Sequence, residues 1–270
     1  MNRRLLSTLL AMGFFLGACT TVQTTEQGAI GVDRKQYMLV SEEEVEKGAV
    51  ESYQQELTTA QQKNALNADP AQVKRVRAIA NRLIPQTTIF RPDAKDWQWE
   101  INVQKTDDLN AYCMPGGKIM VYSGIIEQLQ LTDAELAAII GHEIAHALRE
   151  HTRERVSRAY AQQVGLGVLA AVTGVGEVGM QLAAQVTQVT FGLPHSREQE
   201  AEADRIGLEL MARAGYDPAA AVALWQKMSQ KTGNNGPDFL STHPSSSSRI
   251  SDLQANIPKV QPLYQAASKP

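Results

Sequence analysis

The segment that most constrains this chain is the run from His142 to His146, which matches the pattern H-E-x-x-H. Thr132 and Glu135 form a capping box before it, and apolar residues recur at helical spacing as far as Leu148. Two histidines four positions apart lie about 40° apart around a helix, close enough for both rings to reach one ion. The sequence therefore predicts an amphipathic helix with a metal site on one face.

The residue types in this motif are those of a catalytic zinc site. Neutral imidazole is a good ligand for Zn²⁺, and catalytic zinc sites use three protein ligands and keep one position for water. Glu143 projects about 100° away from His142 around the helix, where its carboxylate reaches that water instead of the metal. The motif predicts His142 and His146 as zinc ligands and Glu143 as the general base.

The third ligand is not given by the motif, and six residues qualify by their chemistry. They are His151, His195, Glu198, Glu200, Glu202 and Asp204. A metzincin would need glycine at position 149 and histidine at position 152, where this chain has Arg149 and Thr152. His151 is therefore interpreted as a solvated helix residue.

The acidic segment after Ser196 supplies the best pair of candidates. A capping box at Ser196 begins a second helix, and positions 200 and 204 share one of its faces. Glu200 can then bind the metal while Asp204 orients a ligand histidine. Glu198 and Glu202 are expected to face solvent.

These motifs, with three others, make residues 70 to 255 resemble a known family. The motifs are Asn110-Ala111, Pro115-Gly116-Gly117, His142 to His146, Glu200-Ala201-Glu202-Ala203-Asp204, and Thr242-His243-Pro244 followed by Arg249. The chain resembles the HtpX-like and CAAX-prenyl-protease-like zinc metallopeptidases, which are gluzincins. Within them it resembles the lipoprotein branch, with the periplasmic proteases LoiP and BepA, because the membrane-spanning segments of some relatives are missing.

The resemblance implies a fold, a cofactor and a mode of substrate binding. The fold is α+β and predominantly helical, a zincin-type domain with a small edge-strand sheet, and it holds one Zn²⁺ per chain. The family's glutamate ligand maps onto Glu200 through the pattern E-x-x-A-D. Residues 109 to 122, with Asn110 and Ala111, would form an edge strand that pairs with an extended substrate, which favours unfolded or misassembled proteins.

Two further residues have alternative interpretations. By resemblance, His243 either stabilises the tetrahedral oxyanion or acts as a fourth ligand that displaces the water. A surface histidine that caps the following helix is the alternative from the sequence alone. Arg249 can donate to a substrate carbonyl or to an acidic partner, and a solvated helix arginine is equally consistent with its position.

The N-terminus has the pattern of an export signal. Arg3 and Arg4 precede an apolar run from Leu5 to Leu16 that is too short to span a bilayer stably. The run ends in Leu-Gly-Ala-Cys, which resembles the bacterial lipobox and predicts lipidation of Cys19. By the same resemblance, threonine after that cysteine favours the periplasmic side of the outer membrane. The alternative is an ordinary secretory signal with an incidental cysteine.

Charge and cysteine content exclude two classes of protein. The formal net charge is −3, and no basic cluster interleaved with aromatic residues exists, so nucleic acid is not an expected partner. If Cys19 is acylated, Cys113 has no disulfide partner within the chain. A packed strand thiol is the interpretation of Cys113, because its surroundings lack the E-G-C pattern of a deformylase ligand.

The pattern of segments predicts how the domain is organised. Residues 1–18 are the signal peptide, 19–40 the lipid anchor with a flexible tether, 41–258 the peptidase domain and 259–270 a tail. Within the domain, 41–85 are a helical cap, and strands are predicted from Trp97 to Val103 and from Lys118 to Tyr122. Residues 164–192 are interpreted as short buried or interfacial helices, since Gly174, Gly176 and Gly179 interrupt the apolar run.

The functional hypothesis follows from the motif and the resemblance together. We expect a zinc endopeptidase, anchored at the outer membrane, that hydrolyses unfolded or misassembled envelope proteins as protein quality control. The alternatives are a non-proteolytic periplasmic chaperone or binding lipoprotein, and another zinc amidohydrolase. Glu143 argues against a binding protein, because a structural zinc site normally has protein ligands in all four positions.

Overall fold

A computed structural model describes residues 20–173, 182–230, 238–244 and 247–270. The strands are β1 (Thr20–Val22), β2 (Gln36–Met38), β3 (Glu100–Gln104), β4 (Ala111–Met114) and β5 (Lys118–Tyr122). The helices are α1 (Glu42–Gln62), α2 (Pro70–Leu83), α3 (Ser123–Gln128), α4 (Asp133–Leu148), α5 (His151–Thr173), α6 (Leu182–Phe191), α7 (Arg197–Arg213), α8 (Ala219–Gln230), α9 (Asp238–Thr242) and α10 (Ser247–Ala266). The predicted α+β, predominantly helical fold is confirmed.

The helices that carry the motifs begin at the predicted residues. The Thr132 side chain accepts from the backbone N–H of Glu135, and Ser196 caps α7 in the same way. These caps satisfy backbone N–H groups that have no partner within the helix. The local sequence therefore sets where each of the two helices starts, and with it the direction in which each ligand side chain projects.

The main sheet has three strands in the order β3-β5-β4. β5 runs parallel to β3 and antiparallel to β4, so β4 is an edge strand in the described part of the chain. Gly116 and Gly117 have φ values of +75° and +80°, which is why the tight turn between β4 and β5 contains glycine. The first predicted strand is shorter than expected, because Trp97 ends a short 3₁₀ helix (Pro92–Asp96) instead of pairing.

Helix α4 lies at the centre of the molecule and packs most extensively against α7 and then against β4. Its residues from Glu135 to Leu148 are all buried. The two helices come closest at Gly141 and Gly207, where a Cβ on Gly207 would lie 2.8 Å from the backbone nitrogen of His142. Close contact through these glycines brings the H-E-x-x-H motif near the acidic helix.

The segment 20–40 is packed onto the domain, which corrects the expectation of a flexible tether. β1 pairs with β2, and Ile30 and Val32 are buried in the main core. The backbone N–H of Ile30 donates to the buried Glu209 carboxylate on α7 at 3.0 Å. The predicted signal peptide and Cys19 lie outside the described residues.

The C-terminal boundary also differs from the expected one. α10 continues to Ala266, and Val260 is fully buried in the core, so residues 259–266 are part of the domain instead of a tail. In the Gly-rich region, α5 extends to Thr173 and α6 begins at Leu182, and the three predicted glycine breaks lie outside the described residues. Among the described residues, no helix has both the length and the apolar composition needed to cross a membrane.

Candidate metal centre

Four side chains from three parts of the fold meet at one point. His142 and His146 come from α4, Glu200 comes from the first turn of α7, and His243 follows α9. All four are buried, with at most 5% of each residue exposed. One ligand atom from each lies within 4.8 Å of every other.

The distances within this cluster fit a tetrahedral zinc ion. His142 Nε2 lies 3.0 Å from His146 Nε2 and 3.2 Å from His243 Nδ1. Glu200 Oε1 lies 2.9 Å from His243 Nδ1 and 3.4 Å from His146 Nε2. Ligand atoms around a tetrahedral ion with bonds of about 2.0–2.1 Å are separated by about 3.3 Å. Two imidazoles and a carboxylate are also the donor set of known catalytic zinc sites.

The protonation states suit metal binding. Burial lowers the pKa of His146 well below its ordinary value, so the ring stays neutral and keeps a lone pair. Burial alone would raise the pKa of Glu200, but His243 and Arg249 outweigh it and hold that pKa well below its usual range. Glu200 is therefore a carboxylate even though it is buried.

Glu143 lies beside the cluster without a ligand role in it. Its Oε1 is buried with no hydrogen-bond partner among the described residues, and Nε2 of His243 lies 3.5 Å from it. Burial raises the pKa of Glu143 above its ordinary value. A buried acceptor with a raised pKa next to a metal site is the environment of a general base.

Asp204 and Arg249 contact two of the ligand side chains, His142 and Glu200. Asp204 Oδ1 lies 3.0 Å from Nδ1 of His142. Arg249 donates to both oxygens of Asp204 at 2.7 Å, and its Nη1 lies 2.5 Å from Glu200 Oε2. Its guanidinium also stacks on Trp225, 3.7 Å from the ring centroid. Arg249 thus has acidic partners and is buried, so the interpretation as a solvated arginine is wrong.

Two residues expected to face solvent are buried next to the site. His151 is fully buried, and its Nδ1 lies 2.8 Å from Nδ1 of His146. Glu202 is buried as well, with Oε2 3.0 Å from Nε2 of His151. The prediction for His151 failed because the backbone leaves helical geometry at Glu150, where φ is +50°, and His151 contacts His146 of α4. Helical periodicity cannot indicate such a turn.

The remaining predicted residues lie near the site in the expected elements. Asn110 and Ala111 stand at the start of edge strand β4, which packs against α4. The Asn110 carbonyl accepts from the backbone N–H of Tyr122, and its side chain accepts from the N–H of Ala111. Cys113 on the same strand is a buried free thiol whose pKa is raised by burial, in agreement with a packing role.

Two cavities open on either side of the turn that carries His243. One, of about 480 Å³, is lined by Asn110 and by residues before the histidine, including Thr242. The other, of about 330 Å³, is lined by Glu200, Arg249 and Pro244, which follows the histidine. Of the four cluster residues, Glu200 lines the smaller cavity, and none lines the larger one among the described residues.

Comparison with known proteins places the chain among metallopeptidases. The model of Peptidase family M48 matches residues 70–257. Mitochondrial metalloendopeptidase OMA1 of Schizosaccharomyces pombe is 38% identical over 168 residues, which cover 62% of this chain and 49% of the relative. The OMA1 of Arabidopsis thaliana is 38% identical over 160 residues, 59% of this chain and 32% of the relative.

A bacterial relative matches over a longer stretch at lower identity. The beta-barrel assembly-enhancing protease of Yersinia pestis is 26% identical over 214 residues, 74% of this chain and 42% of the relative. The matched region spans half or less of the length of each of these relatives.

Proposed function

The chain belongs to peptidase family M48, and from this premise we propose that it is a zinc-dependent metalloendopeptidase. In this proposal His142, His146 and Glu200 bind the metal. The observation that carries it is the spacing of their ligand atoms, which matches tetrahedral zinc coordination. A bound zinc ion would supply Lewis acidity toward the scissile carbonyl and toward a water molecule.

Glu143 is the proposed general base. Its buried Oε1, which has no hydrogen bond among the described residues, takes a proton from the attacking water and later delivers it to the leaving amine. No covalent enzyme intermediate is required by this arrangement. Asp204 is a positioning residue for His142, and Arg249 positions both Asp204 and Glu200 through its ion pairs.

We further propose that the substrates are unfolded or misassembled envelope proteins, bound as extended segments along β4. In the β4–β5 pairing, the backbone groups of Ala111 and Cys113 point away from β5, on the side where the described residues place no further strand. The N–H of Ala111 donates to the Asn110 side chain, so a substrate would pair with the remaining backbone groups of this edge. Such pairing reads backbone shape more than side chains, which suits unfolded proteins. The name of the bacterial relative, an assembly-enhancing protease, is consistent with a role in protein quality control.

The proposed location is the periplasmic face of the outer membrane, with Cys19 as the lipid anchor. The support is the Leu-Gly-Ala-Cys pattern and the similarity of the motifs to the lipoprotein branch with LoiP and BepA. Incorporation of labelled palmitate into the full chain, but not into the Cys19→Ser variant, tests this. Absence of label from both would contradict lipidation.

His243 has a proposed role as a fourth ligand in the resting enzyme. Its Nδ1 is as close to His142 and Glu200 as the three other ligand atoms are to each other. A fourth protein ligand leaves no position for water, so the site would be latent until a substrate displaces the ring. Stabilisation of the oxyanion is the alternative role for the displaced ring.

The closeness of His243 to the three other ligands also favours a second candidate function, a non-proteolytic chaperone with a structural zinc site. Four protein ligands are typical of structural zinc. A structural site, however, does not need the buried acceptor of Glu143 beside it, and burying a carboxylate oxygen that has no hydrogen bond among the described residues costs free energy. The endopeptidase is therefore the stronger candidate.

The experiment that separates these functions measures zinc content together with cleavage of an unfolded casein-like protein. The full chain and its Glu143→Gln variant are compared. We expect near-stoichiometric zinc in both and a loss of cleavage of about 10²- to 10⁴-fold in the variant. Equal cleavage by both proteins would refute the role of Glu143. Zinc without cleavage in either would leave a latent enzyme or the chaperone, and cleavage by the His243→Ala variant would identify the latent enzyme. Hydrolysis of a small amide but of no protein would indicate an amidohydrolase.

A further inference from the structure

A chain of contacts runs from the metal cluster to the N-terminal segment. His146 Nδ1 lies 2.8 Å from His151 Nδ1, and His151 Nε2 lies 3.0 Å from Glu202 Oε2. Arg34 of the N-terminal segment then binds Glu202 through Nε at 2.6 Å and Nη2 at 3.1 Å. His146, His151 and Glu202 are all buried, so water does not compete for these contacts.

One assignment of protons satisfies every contact in the series from His146 through His151 to Glu202. If Nε2 of His146 binds a metal, its Nδ1 carries the proton and donates to Nδ1 of His151. His151 must then carry its proton on Nε2, where it donates to the Glu202 carboxylate. A carboxylate that accepts from an imidazole raises the basicity of that ring and fixes its orientation. Glu202 thus acts on the ligand through one intervening histidine.

The contacts of Glu202 at the far end of this series also involve a segment that is distant in the sequence. The Arg34 guanidinium also binds Glu154 at 2.7 and 2.9 Å. Arg149, fully buried, donates to Glu202, to the backbone carbonyl of Arg34 and to the side chain of Thr25. Glu202 is therefore fixed between two arginines, and one of them belongs to the segment 20–40.

We propose that His151, Glu202 and Arg34 form a positioning relay for His146, so that docking of the segment 20–40 strengthens metal binding. This inference rests on the proposed zinc function. The three residues touch neither substrate nor metal. The relay couples the affinity of the zinc centre to the part of the chain that directly follows Cys19.

Glu202→Gln and Glu154→Gln are a matched pair for testing the relay. Both carboxylates are buried and both bind Arg34, but only Glu202 contacts His151. The measurements on the full chain are zinc affinity by competition with a chromophoric chelator, the visible absorption spectrum of the Co²⁺ form, and thermal unfolding in chelator. Glu202→Gln is expected to weaken zinc binding about 10- to 100-fold and to shift the Co²⁺ spectrum.

Glu154→Gln is expected to change zinc affinity less than threefold, because it leaves the contacts from Glu202 through His151 to His146 intact. Its loss of metal-free stability should be comparable to that of Glu202→Gln. Arg34→Gln should fall between the two. Equal zinc affinity in Glu154→Gln and Glu202→Gln would overturn the relay, whether both are weakened or both are unchanged. Wild-type protein that binds no zinc would refute the proposed function, and the relay with it.

A second pair of variants keeps the test decisive if Glu202→Gln does not fold. His151→Gln retains an acceptor for the His146 N–H, whereas His151→Phe has none. The relay predicts that His151→Gln binds zinc at least tenfold more tightly than His151→Phe. The same affinity in both would show that His151 only fills space.

Discussion

Each ligand residue has a distinct task, so single substitutions separate the tasks. His142 and His146 share one face of α4, whereas His195 is an additional histidine near them that is not part of the four-residue cluster. Its ring centroid lies 4.0 Å from that of His146, with the two rings tilted by 44°, and Arg155 Nη1 lies 3.1 Å from its Nε2. A guanidinium at that distance opposes a cation, so His195 is not expected to be a ligand.

His142→Ala should remove both stoichiometric zinc and cleavage of the unfolded substrate. Loss of His142 leaves only two of the three catalytic ligands, and even with His243 in place the resting site has lost one of its four protein ligands, so the ion should be held too weakly to survive dialysis. His195→Ala is the control, with the same chemical change nearby, and should keep at least most of the zinc. Zinc measured by atomic absorption after dialysis checks both. Retention of stoichiometric zinc by His142→Ala would contradict the role of His142 as a required ligand.

His243→Ala tests the latent state. If the ring fills the fourth coordination position, its removal opens this position to water and should raise cleavage severalfold, with some weakening of zinc binding. The measurements are the initial rate of casein-like substrate cleavage and the zinc affinity. A fall in cleavage at unchanged zinc content would instead assign the ring to the oxyanion, and no change would exclude both roles.

At the scale of secondary-structure elements, ligand residues come from both α4 and α7, so the geometry of the site depends on how these two helices pack against each other. α4 and α7 meet at Gly141 and Gly207, and the nearest atoms to a Cβ on Gly207 are backbone atoms that cannot rotate away. The crossing point lies two turns from Glu200 along α7. Separation of the helices at the glycines would therefore also move Glu200 relative to His142.

Gly207→Ala tests whether the close contact between α4 and α7 is needed. The sign of its effect on stability distinguishes helix propensity from helix packing. Helix propensity alone predicts a gain of about 1 kcal/mol, because alanine favours an internal helical position over glycine. The close backbone contact predicts a loss of stability and weaker zinc binding instead. Chemical denaturation in chelator and zinc competition measure the two effects. A stabilised variant with unchanged zinc affinity would contradict the role of the crossing.

For the whole molecule, two buried carboxylates connect the N-terminal segment to the peptidase domain. Burial would raise the pKa of Glu154, but hydrogen bonds from Arg34, Gln36 and Gln199 lower it to about 2. The pKa of Glu202 is also about 2, because His151 and Arg34 outweigh its burial. Both values lie below the ordinary pKa of 4.5. The charged forms therefore stabilise the folded state.

The sign of the pH dependence follows from these lowered pKa values. The stabilisation is complete above pH 4.5, the ordinary value, and is lost as the pH falls through that value toward 2. A shift of this size corresponds to on the order of 3 kcal/mol for each group. Metal-free protein should lose unfolding free energy steeply in this range, and the Glu154→Gln, Glu202→Gln double variant should show a shallower slope. Identical slopes in denaturant titrations would contradict this.

What the sequence determines here is the chemistry and its local placement. The i, i+4 spacing of His142 and His146, the capping boxes, and the shared face of Glu200 and Asp204 depend on neighbouring residues, so they were predictable. The helical α+β fold and the metallopeptidase family are confirmed, and the residues in these motifs meet as expected.

What only the tertiary structure decides is which polar residues are buried. His151 and Glu202 have the local pattern of solvated helix residues, and the segment 20–40 has the composition of a tether. Their burial depends on partners in other elements: Glu202 lies 51 positions from His151, and Arg34 lies 168 positions from Glu202. A charged group can be buried when a distant partner compensates its desolvation, and local sequence periodicity does not contain that information.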